Sequence, residues 1–247
     1  TTEIYTLSLH DALPICSLEA ALEKQLAEAG EEDGVWRLPD GEDYYAFLLR
    51  YHTTTDLSAD EIHELGITEV ASLMEEVRIV LAEMGRPTDF PNAQLKALMN
   101  APEYHYAGEN AGQEILADYQ AILDEVNARL PEVFSFGSLN EIVVKRLPEY
   151  KEPDSPIAYA EAPAMNGSRP GTMWVNLRDP GNIYRWGMRT LAYHEGIPGH
   201  VYQMAQAQKI RGLPTFRRAF FFNAYIEGWA LYRSEERRVG KECRSRW

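Results

Sequence analysis

The sequence predicts a mainly α-helical fold with a small antiparallel β ribbon. Three observations carry this. Apolar residues recur at three- and four-residue spacing through most of residues 17–130 and again after Trp186. Only two short runs, 142–144 and 173–175, are β-prone and bounded by Pro and Gly, and they are expected to form the ribbon. No internal repeat interrupts the pattern, and no apolar run approaches the roughly 18 to 20 residues of a membrane span.

In chain order, Leu18, Ala21, Leu22 and Leu26 mark an amphipathic helix that Gly30 ends. After a turn at Pro39, Asp40 and Gly41, the residues Tyr44, Tyr45, Phe47, Leu48 and Tyr51 predict a buried helix, broken at Thr53, Thr54 and Thr55. Ser58 and Glu61 form a capping box for a long helix. Its stripe of Ile62, Leu65, Val70, Leu73, Val77, Val80 and Leu81 leads to Met84 and Gly85, with a bend expected at Gly66. A shorter helix follows over 92–100, and Ile115, Tyr119, Ile122, Val126 and Leu130 trace another as far as Pro131. Beyond the β-prone runs, the pattern around Trp186 leads into Leu191, Ala192, Tyr193, His194 and Glu195, with further helices expected over 201–210 and 215–232.

The two ends read differently from the rest. Residues 2–15 and 233–246 can be encoded by one stretch of DNA in opposite orientations, and that stretch resembles a common sequencing adapter. The expectation is that 1–16 and 233–247 are adapter-derived and that 17–232 is a fragment of one helical domain, truncated at both ends. Cys16, Cys243 and the basic run 233–246 fall in or beside these ends, so they support no disulfide, thiol site or polyanion patch. The formal net charge of −14 argues against a nucleic-acid partner. It identifies no compartment.

Chemistry concentrates near the C-terminal end. His194 and Glu195 adjoin at the close of an apolar helical run, an arrangement that offers a metal ligand and a general base. His200 follows after Gly196, Ile197, Pro198 and Gly199. Six residues of unbroken helix would carry it through about 600° onto another face. Pro198 lacks the N–H a straight helix needs, and the two glycines accept unusual backbone angles, so an expanded turn can bring the imidazoles together. Glu227 lies among Tyr225, Ile226, Trp229, Ala230 and Leu231, where burying a carboxylate is costly unless an ion pairs with it. Two imidazoles, a carboxylate and an open position make a catalytic zinc site.

The segments HEGIPGHVYQ (194–203), EGWALY (227–232), YYAFLLRYHTTTDLSADEIHELG (44–66), GSRPGTMWVNLRDP (167–180) and RLPEY (146–150) resemble the bacterial domain-of-unknown-function 885 family, placed in the gluzincin-like zinc metallopeptidase clan. The resemblance implies a helical zincin-like metallopeptidase fold, with His194, His200 and Glu227 as zinc ligands and Glu195 as base. It implies hydrolysis of peptides or small amides. A catalytically impaired scaffold fragment and a zinc hydrolase of a non-peptide amide or ester are the alternatives. The family usually shows two histidines after Pro-Gly, whereas the second position here is Val201. Either His200 is the ligand and position 201 is dispensable, or the true ligand has been lost.

His52, His63 and His105 read as structural residues, and Tyr225 and Trp229 as core. Tyr193 and Tyr232 read as packing rather than oxyanion donors. Asn176, Arg178 and Asp179, after the second β-prone run, lie either where an extended peptide adds as a strand or in a hydrogen-bonded loop.

Overall fold

The computed structural model describes residues 9–31, 33–139, 141–214, 216–217 and 222–234. The chain divides into two compact units, Thr1–Arg50 and Tyr51–Trp247.

The first unit holds α1 (Leu9–Glu28) and most of α2 (Gly41–Thr53), joined by a 3-10 turn over Gly34–Arg37. α1 continues unbroken through position 16, with Pro14 inside it. Leu18, Leu22 and Leu26, the apolar face read from its spacing, are exposed. Gly41 is sterically required, because a Cβ there would overlap the Val35 carbonyl oxygen. Tyr45 meets Trp36 edge-on with ring centroids 5.1 Å apart. The expected burial of α2 is not observed: Tyr44, Tyr45, Phe47 and Tyr51 are all exposed.

In the second unit, α3 (Ala59–Glu83) opens on the expected reciprocal capping box. Glu61 N–H donates to Ser58 Oγ at 3.3 Å and Ser58 N–H to Glu61 Oε2 at 2.8 Å. The helix is continuous through Gly66. Leu81 of its stripe is buried, whereas Leu65, Val70 and Leu73 are exposed. α4 (Pro91–Met99) starts with proline at its first position, where no N–H is needed.

The core forms around α5 (Ala111–Arg129). Its Ile115, Tyr119 and Leu123 recur every fourth residue and are fully buried against Met173, Val175, Ala192, Ile197 and Val201. Three strands lie beside it: β1 (Ile142–Arg146), β2 (Ala158–Glu161) and β3 (Gly171–Val175), in the order β1-β3-β2. This corrects the expected antiparallel ribbon. The two β-prone runs do pair, but in parallel, with Ile142 opposite Gly171. The antiparallel partner of β3 is β2, with Ala158 opposite Val175. The Ala-Tyr-Ala-Glu sequence of β2 carries little strand propensity. The outer edge of β1 is covered by Gln120 of α5, whose Nε2 donates to Ile142 O at 3.0 Å and whose Oε1 accepts from Val144 N–H at 2.9 Å.

After β3 come α6 (Met188–Glu195), α7 (His200–Ala207) and α8 (Asn223–Ser234). α7 stops short of the expected residue 210. The helix expected over 215–232 is represented by α8, and residues 215 and 218–221 lie outside the described ones. Among the described residues, no helix is long and apolar enough to cross a membrane.

Candidate metal centre

The site is built where α6 stops. Met188, Ala192 and Glu195 share the inner face of α6 and are buried, which leaves His194 at the side of its last turn, 24% exposed. The Gly196 N–H closes the helix on Ala192 O at 2.8 Å. Gly196 and Gly199 then permit a close reversal. A Cβ on Gly196 would overlap Leu123, and one on Gly199 would overlap the carbonyl oxygens of Tyr193 and His194. The Ile197–Pro198 bond is cis. With these close approaches at the two glycines, α7 begins directly against the end of α6: the expected expanded turn is a break between two helices. It sets the rings of His194 and His200 at 4.8 Å between centroids and 86° between planes.

α8 supplies the third group. Trp229 Nε1 donates to Pro198 O at 2.8 Å, tying α8 to the turn. Glu227 Oε2 lies 3.4 Å from His194 Nε2 and 3.5 Å from His200 Nε2. One ligand atom from each residue falls within 4.8 Å of the others. Glu227 is 60% exposed, which corrects the expectation of a buried carboxylate. Ala230 is fully buried, while Glu227 faces a cleft that Leu231 also lines.

These distances test whether a metal fits. Charge-assisted N–H to carboxylate hydrogen bonds are normally about 2.7–2.9 Å. Ligands about 2.0–2.1 Å from a tetrahedral zinc stand roughly 3.3 Å from one another. The two His–Glu separations are close to the second spacing and exceed the first, the ligand atoms of all three residues lie within 4.8 Å of one another, and the donor set is one zinc favours. His200 Nδ1 is buried without a hydrogen-bond partner, as is Oε1 of Gln203 one turn later in α7.

Glu195 is buried beside this cluster. Its carboxyl is pushed up to about 7, first by burial and second by the charge of Glu227, while the backbone N–H of Ala160 in β2 pulls the other way. Burial also lowers the affinity of His200 for a proton; Glu227 opposes this and His194 reinforces it. Tyr119, buried on α5, has its hydroxyl held well above the usual range by burial and then by the charge of Glu195.

The cleft beside the cluster has a volume of about 380 Å³ and is lined by His52, Thr53, His194, Asn223, Ala224, Glu227, Gly228 and Leu231. His52, read from sequence as structural, is thus part of the site wall. Asn223 Nδ2 lies 2.9 Å from its Nδ1. No local pattern marks His52, because its neighbours in the cleft come from a distant helix. Asn223 was legible in principle, four residues before Glu227 on one helical face.

Other expectations resolve plainly. Val201 is fully buried, with its Cγ1 packed where a Cβ on Gly171 would be; it faces β3, and His200 joins the cluster. His63 is exposed, and His105 bridges Met99 O and Gly181 O at 2.7 Å each, a structural role. β3 is the central strand, so no peptide adds to it. Asn176 Nδ2 donates to Glu152 O and Ser155 O in the segment before β2, and Asp179 Oδ1 accepts from Gly181 N–H within its own loop. Tyr225 is 61% exposed, which corrects its assignment to the core, and Tyr232 is exposed as well. Tyr193 OH accepts from Arg189 at 3.1 Å.

A family model described as bacterial protein of unknown function (DUF885) matches residues 12–240. Among solved structures, the chain is similar to a candidate lipoprotein from Colwellia psychrerythraea, with 31% identity and a TM-score of 0.83 over 97% of this chain and 43% of that one. It shares its fold with a candidate lipoprotein of unknown function from Shewanella oneidensis, at 16% identity and a TM-score of 0.64 over 92% of this chain and 42% of that one. The chain thus spans less than half the length of either. No curated protein matches.

Proposed function

The chain belongs to the DUF885 family of bacterial proteins, and within it we propose a zinc-dependent hydrolase of amide bonds, acting on peptides or small amides. One observation carries this reading: two imidazole Nε2 atoms meet a carboxylate oxygen at 3.4 and 3.5 Å, beside a buried glutamate whose carboxyl is pushed up to about 7. His194 and His200, as neutral imidazoles, and Glu227, as a carboxylate, would hold the ion. Zinc held there supplies a Lewis acid and acidifies water. Glu195 takes the proton of the attacking water and returns it to the leaving nitrogen. A carboxyl whose proton affinity is raised by burial is suited to both transfers. The cleft, open beside Glu227, admits the substrate.

A second reading follows from the comparison of lengths. Because the chain spans 43% of its Colwellia relative, it can hold the metal while other walls of the substrate site are contributed by segments outside it.

Elemental analysis of the purified chain, beside His194→Ala, His200→Ala and Glu227→Ala variants, tests the centre. A screen of peptide hydrolysis by mass spectrometry tests the reaction. Near one zinc per chain, lost in each variant, with cleavage abolished by Glu195→Gln, supports the hydrolase. Zinc without cleavage favours the second reading. Folded protein that takes up no zinc removes both.

A further inference from the structure

The cleft beside the proposed metal ligands is also lined by His52, at the end of α2, and Asn223, the first residue of α8. Asn223 Nδ2 lies 2.9 Å from Nδ1 of His52. With the amide nitrogen donating, Nδ1 accepts, and the remaining polar atom of the ring, Nε2, carries the proton and is an N–H donor.

The placement of this donor is tied to the metal cluster. Asn223, Glu227 and Leu231 follow at four-residue intervals and all line the cleft, so one face of α8 both orients His52 and presents Glu227 to the two imidazoles. Ala224 and Gly228 add little bulk between them. Among the described residues, no Lys or Arg lines the cleft. An N–H donor lining the same cleft as the proposed metal ligands suits a carbonyl oxygen, whose negative charge grows as water adds to the carbon.

We propose that His52, oriented by Asn223, donates its Nε2–H to the carbonyl oxygen of the amide bound at the His194, His200 and Glu227 cluster. This rests on the hydrolase reading above. His52 touches substrate; Asn223 is a positioning residue.

The test uses the full zinc-loaded chain and a phosphinic dipeptide, whose phosphinyl oxygens stand in for the hydrated amide, with azide as a probe of the ion alone. His52→Ala is expected to keep its zinc and its azide affinity while its Kd for the phosphinic dipeptide rises roughly tenfold to a hundredfold, the range for a lost hydrogen bond to a charged acceptor. His52→Gln, whose amide N–H can reach a similar point, restores part of the loss. In nitrogen-15 spectra His52 shows the Nε2–H tautomer, and Asn223→Leu converts it to a mixture while weakening dipeptide binding. Unchanged dipeptide affinity in a zinc-loaded His52→Ala chain, or a proton on Nδ1 in the parent, overturns the assignment and leaves the hydrolase reading standing. A folded parent that takes up no zinc overturns both.

Discussion

Gly199 lies so close to His194 that no side chain fits between them, because a Cβ at position 199 would overlap the His194 carbonyl oxygen. The contact sets where α7 begins relative to α6 and thereby where the two imidazoles meet. Gly199→Ala is expected to push α7 away, to weaken zinc binding at least tenfold and to cost about 2 kcal/mol or more of stability by overpacking. Zinc competition with a chelator and urea unfolding measure the two effects. Parent-like zinc affinity would show that the close approach is not what assembles the site.

Removing the proposed proton carrier and removing a proposed ligand should differ in kind. Glu195→Gln is expected to keep near one zinc per chain and lose about a hundredfold to ten-thousandfold in turnover, the usual contribution of general acid–base catalysis. Glu227→Ala is expected to lose the metal itself. Elemental analysis beside steady-state rates separates them.

Glu195 should also leave a signature in the metal-free protein. Its carboxyl is pushed from 4.5 to about 7, by burial first and the charge of Glu227 second. Between those values the folded chain holds a proton that the unfolded chain has released, so stability falls as pH rises from about 4.5 to about 7. The loss is up to roughly 3 kcal/mol. Urea titrations of the metal-free parent and Glu195→Gln at pH 5 and pH 8 should converge at the lower pH, with the variant more stable at the higher. The same difference at both pH values would count against the shifted carboxyl.

Val201 fills the space above Gly171, facing away from the cluster. Val201→His is expected to leave zinc stoichiometry unchanged and to cost about 1–3 kcal/mol through overpacking and a buried polar ring. A tenfold gain in zinc affinity would instead make position 201 a ligand.

Much of this was legible in the sequence, for reasons that can be traced residue by residue. Periodicity placed the helices, because Ile115, Tyr119 and Leu123 repeat at a spacing that only a helix puts on one face. The His194, Glu195, Pro198, Gly199 and His200 run announced its turn, because proline and glycine alter the backbone itself. What escaped depended on partners far away in the chain. β2 has weak strand propensity and is held by register with β3, and the parallel pairing of β1 with β3 is a matter of topology. Glu227 seemed buried because its neighbours in sequence are apolar, yet on a helix adjacent residues face different ways. His52 acquires its place from Asn223, which no local window connects to it.

The amide of Gln120 occupies the backbone groups of Ile142 and Val144 that a fourth strand would use. It acts as a plug against sheet propagation. At the other border the Ala160 N–H is already engaged by Glu195, so recruiting a strand from another copy there would compete with the proposed base. Both borders of this sheet are thus capped by side chains, and at one of them the cap is the proposed base itself.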